Sequence, residues 1–342
     1  MTHTHTHTHN AHLPLLLFVA QMVVLASALG CLSPVLSIAS ALATEAGERV
    51  LGARGGGSPS WLQRCAAPLP TSADARKRDA RVELFGEPAV AWAASGHSDI
   101  LCLASLWCMC EKLSGGGAQA NKRRAFVAAS GMSRPQMTAW REMRSQLADQ
   151  LMAARVLPPR SDADDVGAPW NAHSRARDRN LVSAVVAACL SSAVAMRDGP
   201  AWSDGRGPVT LAASSAFALD DRSPLMCHAR KDGTSWSRAG KPSVARASGA
   251  GPATPVALVL LGGRFGCGTL TSDSVGFGLL GAPPATVRCG PDGALRVQHT
   301  SPASARLCQM LRKAGDKEIS RFLDGDGDRR FSALDAIAKA VL

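Results

Sequence analysis

The chain has 342 residues, a formal net charge of +11 and a pI near 9.6, with 46% hydrophobic residues but only 4% aromatics and no Tyr. Such a length holds one large domain or two ordinary ones with a sizeable core, which excludes a disulfide-stapled miniprotein. The excess of Lys and Arg points to a polyanionic partner, either nucleic acid or an acidic membrane face.

The charge is concentrated in two stretches: residues 122–160 hold eight basic residues against Glu142 and Asp149, and residues 222–246 hold six against Asp232. The ten cysteines are scattered without a C-x-x-C pair. They read as small buried hydrophobes of a reduced, intracellular protein, cytoplasmic or nuclear, and not as a zinc site.

In chain order, residues 1–12 carry a Thr-His repeat that reads as a disordered tail. Its histidines would chelate a divalent metal only weakly, and a dinucleotide repeat in the coding sequence would produce the same pattern. Residues 11–43 contain no Asp, Glu, Lys or Arg. "LPLLLFVAQMVVLASAL" predicts a helix that is apolar all round, and Gly30 and Pro34 separate it from a second helix in "PVLSIASALA". A helix of this kind is buried in protein or in lipid, so a small membrane-anchored or secreted protein using residues 11–43 as span or signal is the alternative reading.

A helical domain is expected over residues 13–157, with loops at 47–75 and 114–121. The segment "SDILCLASLWCMCEKL" predicts a helix with Ser98 as its N-cap. In "SRPQMTAWREMRSQLADQLMAARVL", Met137, Trp140, Met143, Leu147 and Leu151 recur at helical spacing and predict one buried stripe, with Arg141, Arg144 and Arg155 off it. Residues 158–176 read as a linker.

"RDRNLVSAVVAACLSSAVAM" predicts another apolar helix, after which short β-prone runs ("GPVTLAA", "PVALVLLGG", "ATVRC", "ALRVQH") alternate with Gly, Pro and Asp-Gly turns up to residue 300. Helices complete the chain over 301–342. A helical first half and a β-rich second half make the expected fold class α+β with segregated layers.

No catalytic motif is complete. The only Gly-Lys, Gly240-Lys241, is followed by Pro242, so the backbone, ammonium and hydroxyl that would cradle a nucleotide phosphate do not converge. Neither H-E-x-x-H nor G-x-S-x-G occurs. In "DGDGDRRFSALD", Asp324, Asp326, Asp328 and Asp335 fall on positions one, three, five and twelve of a calcium loop, but Arg329 stands where the turn needs Gly. Those four are a look-alike of a metal site, and no bound metal is expected.

Read in order, these segments resemble the region that follows the motor in DEAH/RHA-type RNA helicases. The helicase-associated (HA2) helices are matched by Gly30, Cys31, Leu32, Val35, Ile38 and Ala39, by Ser98, Asp99, Leu101 and Leu103, and by Arg144, Gln146 and Leu147. The opening of the family's OB-fold domain is similar to Asn180, Leu181, Val182, Ala184, Val185, Leu190, Val194 and Ala195, continued by Ala213, Ser214 and Ser215 and by "TPVALVLLGG". Ser191-Ser192 stands where the family has Tyr-Pro, and Ala212-Ala213 where it has His-Pro.

The resemblance implies an HA2-like helical domain, an OB-fold-like domain over residues 177–300, and an accessory region that binds single-stranded RNA alongside a helicase motor, with no membrane. The paired motor domains have no counterpart here. The expected protein is therefore a fragment or truncated gene model, or a partner of a separate motor, with no cofactor of its own; ATP and Mg²⁺ enter only with a motor domain upstream. Arg222, Arg230, Lys231, Arg238 and Lys241 supply cations for an RNA groove, with Trp236 among them as a base-stacking platform.

Overall fold

The computed structural model describes residues 9–51, 61–85, 87–94, 97–112, 120–157, 175, 178–190, 193–204, 207–219, 223–232, 244–262, 272–273, 286–289, 295–298, 302–324 and 332–341. Helices come first: α1 (His9–Ala28), α2 (Leu32–Leu42), α3 (Glu45–Leu51), α4 (Trp61–Ala66), α5 (Ala73–Arg78), α6 (Ala80–Phe85), α7 (Glu87–Ala94), α8 (Asp99–Lys112), α9 (Ala120–Ser130), α10 (Arg134–Ala153) and α11 (Arg179–Cys189). Five strands follow, β1 (Val194–Asp198), β2 (Ala201–Ser203), β3 (Pro208–Leu211), β4 (Leu225–Asp232) and β5 (Ala245–Pro252). The chain ends in α12 (Pro255–Leu261), the short strands β6 (Ser272–Asp273), β7 (Thr286–Cys289) and β8 (Leu295–Gln298), and α13 (Pro302–Leu323) and α14 (Ser332–Val341). Helix and sheet are thus mixed as α+β, with a closed five-stranded barrel.

Gly30 ends α1 in the left-handed region at φ +74°, where the Cys31 amide reaches back to the Ala26 carbonyl at 2.9 Å. Glycine adopts that conformation without a Cβ clash, so the chain reverses directly into α2. α1 starts at His9, inside the expected tail, and α3 and α4 occupy part of the expected 47–75 loop. Arg81 caps the C-terminus of α4 by donating to the carbonyls of Arg64 and Ala67, both at 2.7 Å, while Asp79 holds its guanidinium at 2.7 Å.

α2 is buried along its whole length, and its serines explain how. Ser33, Ser37 and Ser40 share one face, and α10 lays a matching pair of donors against it. Trp140 Nε1 donates to the Ser37 carbonyl and to Ser40 Oγ, both at 3.0 Å. Arg144, one turn later, donates to Ser37 Oγ at 3.2 Å and Ser33 Oγ at 3.4 Å. Its guanidinium lies 5.0 Å from the Trp107 ring of α8, which meets Trp140 edge-on at 5.4 Å.

Arg144 is therefore 3% exposed and belongs to the buried face of α10, not to its outer side as the spacing predicts. A planar cation between an indole and hydroxyls keeps its donors satisfied, so burial is tolerated. Arg141 and Arg155 are exposed, as expected.

α11 carries the core onward. Its residues Leu181, Val182 and Ala184 to Cys189 are buried, and it packs against α1, α2, α12, α14 and β5. Two predicted elements change type here. The helix expected through Met196 stops at Cys189, and "VAM" enters β1. "PVALVLL", expected as a strand, is α12, because Thr254 Oγ1 caps the Ala257 amide at 3.2 Å and Pro255 opens the first turn.

The barrel closes in the order β1-β2-β3-β5-β4. Its neighbours run antiparallel except β3 and β5, which are parallel, with Val209 opposite Ala245 and Leu211 opposite Ala247. Ala195, Trp202, Val209, Phe217, Met226, Ala247 and Ala250 fill the interior. Leu225 and Cys227, alternating with Met226 along β4, belong instead to the helical core, so one strand serves both.

Asp99 fastens the two halves. It opens α8, where Ser98 Oγ accepts from the Leu101 amide at 3.3 Å. Its carboxylate, 1% exposed, accepts from Ser215 Oγ at 2.8 Å, the Ala216 amide at 2.6 Å and the Ala250 amide at 2.9 Å. Gly251, next along β5, makes the approach possible: a Cβ there would stand 2.7 Å from Ser98 Oγ and 3.3 Å from Ile100 Cδ1. Replacing Gly251 with Val is expected to destabilise the protein by about 1 to 3 kcal/mol through overpacking, measured by urea denaturation.

Candidate nucleic-acid interface

Of the basic side chains picked from sequence, Arg230 and Lys231 fall on described residues, both in the second half of β4. Asp232 closes β4 and lies opposite Arg246 of β5, so residues 233–244 connect two antiparallel neighbours as a hairpin would. Trp236, Arg238 and Lys241 fall within that connection, and Arg222 falls in the one that precedes β4; all four lie outside the described residues. Arg230 stands in β4 opposite Ser248, and Lys231 opposite Ala247.

Lys231 is not a free cation. Its Nζ meets Asp204 Oδ2 at 2.5 Å, with the lysine side chain 28% exposed and the aspartate 10%. Asp204 follows β2, and its amide reaches the Gly207 carbonyl at 3.3 Å across the β2–β3 connection. The ion pair therefore joins the start of the β2–β3 connection to the end of β4. Sequence reading selected Lys231 but missed Asp204, because nothing in the local pattern couples residues 27 apart.

His228 stands earlier in β4, two residues from Met226 and so on the barrel side of the strand. It is 3% exposed, and neither ring nitrogen has a hydrogen-bond partner among the described residues. Burial pushes its pKa down to about 4; the Asp204 charge opposes this and the Lys231 charge adds to it. Arg197 lies 5.4 Å from the Trp202 ring, opposite it in the β1–β2 register. Trp202 is 6% exposed and fills the interior beside Phe217, so it offers no face to a base.

Among the described residues, Met196 of β1, Ala201 of β2, Pro208 and Thr210 of β3 and Arg246 of β5 are exposed. The opposite side of the barrel, β4 and β5, is packed on the helices through α8 and α11. Among the described residues, the uncovered side of the barrel is thus the β1–β2–β3 face.

Two of the four calcium-loop residues lie among the described residues. Asp324 follows α13, Asp326 and Asp328 lie outside the described residues, and Asp335 in α14 pairs with Arg175 at 2.8 Å. The α14 amides that face this turn, Ala333 and Leu334, donate to Glu318 at 3.0 and 2.9 Å. Among the described residues no three His, Cys, Asp or Glu side chains are grouped as a metal site. No disulfide joins the described cysteines, and burial raises the Cys110 and Cys227 thiols to about 12, so those two stay protonated and unreactive. No helix among the described residues is long and apolar enough to cross a membrane.

No protein-family model matches the chain, and no curated protein matches it.

The two buried titratable groups act with opposite sign. Burial lifts Asp99 to about 6, against the hydrogen bonds from Ala250, Ser215 and Ala216, which lower it. The folded state then binds more protons at Asp99 than the unfolded chain, so its contribution to stability is fully present below the unfolded pKa near 4 and is lost as pH rises through 6. His228 does the reverse: its contribution is present above about 6.5 and is lost as pH falls toward 4. Each amounts to about 3 kcal/mol, and in wild type they offset each other over this window. His228→Leu is expected to gain stability as pH falls from 6 to 4, and Asp99→Asn to lose it. Urea midpoints at stepped pH check both slopes.

Proposed function

We propose that the chain is an RNA-binding accessory region of the kind that follows the motor in DEAH/RHA-type RNA helicases, with an HA2-like helical part and a barrel of OB-fold type that takes single-stranded RNA. The observation that carries this reading is the strand order, β1-β2-β3-β5-β4 closed with a parallel β3–β5 pair. A five-stranded Greek-key barrel of OB type presents its β2–β3 face and its β1–β2 and β4–β5 loops to oligonucleotides. Here that face is the uncovered one, and the β4–β5 connection carries Trp236, Arg238 and Lys241.

Two of the stretches that carry the family resemblance also meet in space. Ser98-Asp99 and Ala213-Ser214-Ser215, over a hundred residues apart, join through the Asp99 carboxylate. The alternative, with residues 11–43 as a span or signal, is disfavoured by the burial of α2 against α8 and α10.

The purified chain is expected to bind single-stranded RNA without hydrolysing ATP. Binding that is mostly electrostatic falls in log affinity against log salt with a slope of about −0.7 for each phosphate neutralised. Replacing Arg230, Lys231 and Lys241 together by Ala shallows that slope by about 1 to 2 units. Trp236→Ala leaves the slope unchanged and costs about 1 to 3 kcal/mol, the value of a base stacked on an indole. Filter binding across salt concentrations separates these effects, and wild type without salt-dependent binding overturns the reading.

A further inference from the structure

We propose that Asp204 is an internal competitor for the RNA backbone: it holds Lys231 in the free protein and yields it to a phosphate when a single strand crosses this end of the barrel. The proposal rests on the RNA-binding reading above and adds the residue that regulates the site.

The geometry is specific. Lys231 is the penultimate residue of β4 and Asp204 the residue after β2, and their contact at 2.5 Å ties the end of one strand to the end of another that is not its neighbour in the barrel. The pair is partly shielded, so salt screens it less than it screens a fully exposed pair. A carboxylate oxygen and a phosphate oxygen accept from an ammonium in the same way. A lysine delivers its charge from a flexible stem without the fixed fork of an arginine, so it exchanges one anion for the other by a change of rotamer.

The surrounding charges favour the exchange. Arg246 lies opposite Asp232 and Arg230 stands one residue before Lys231. A polyanion arriving here meets the exposed Arg246 and then competes for a lysine that is already neutralised. Asp204 thereby raises the threshold for binding: a ligand must offer a phosphate where the carboxylate sits, and a scattered or weak polyanion does not displace it.

A double-mutant cycle on the full chain tests this, with fluorescence anisotropy of a labelled oligouridylate over a salt series. Asp204→Asn is expected to tighten binding about 3- to 10-fold with the log–log salt slope unchanged, because Lys231 makes the same phosphate contact in both bound states and only the cost of breaking the ion pair is removed. In the Lys231→Gln background the same replacement is expected to tighten binding much less. An equal tightening in that background means that loss of one negative charge suffices, and it overturns the proposal. If wild type binds RNA and Asp204→Asn does not tighten binding, the competitor role fails and the RNA-binding reading stands. If neither binds although circular dichroism shows both folded, the reading itself fails and takes the proposal with it. Should Asp204→Asn not fold, Asp204→Ser provides the same comparison.

Discussion

A single buried carboxylate decides how the two halves of this protein sit together. Asp99 has no water to solvate it, so its charge is tolerable only where donors converge, and the three that do come from the turn after β3 and from β5. A carboxylate in such surroundings is unforgiving: removing it strands three donors, and moving the barrel strands the charge. Hydrophobic packing brings α8 and β5 together without fixing their register. The hydrogen bonds to Asp99 fix it, and the absence of a side chain at Gly251 lets the helix terminus come close enough to make them.

The same logic orders the rest of the helical half. An uncharged helix such as α2 packs in many rotations when only its apolar side chains decide, because nearly all of its faces are equivalent. Three serines remove that freedom. Each hydroxyl needs a partner once buried, and α10 supplies Trp140 and Arg144 one turn apart, which is the spacing of Ser33, Ser37 and Ser40 along α2. Polar contacts here specify an arrangement whose driving force is apolar burial.

With β4 and β5 held against the helices, the β1–β2–β3 side of the barrel faces outward. Lys231 meets Asp204 where the end of β4 approaches the residue that follows β2. That corner is not simply positive. Asp204 neutralises Lys231, and Asp232 stands opposite Arg246 in the β4–β5 ladder. Net charge counts cations; the arrangement of pairs governs which of them are available.

Much of this was legible from residues alone, where local physical chemistry dominates. Two marked helix ends fell where expected: Ser98 caps α8 and Gly30 ends α1. The mixed α+β class followed from the change in pattern after residue 199. Errors arose where a segment had no local preference strong enough to decide. "PVALVLL" is β-prone by composition yet helical because Thr254 and Pro255 start it, and Arg144 is charged by type yet buried because Trp107 and two serines receive it. Of the candidate site, the lysine was visible and its aspartate was not. Periodicity reports which face of an element is buried, and caps report where it begins. Only the closed barrel, through pairings between strands distant in sequence, decides which charges meet.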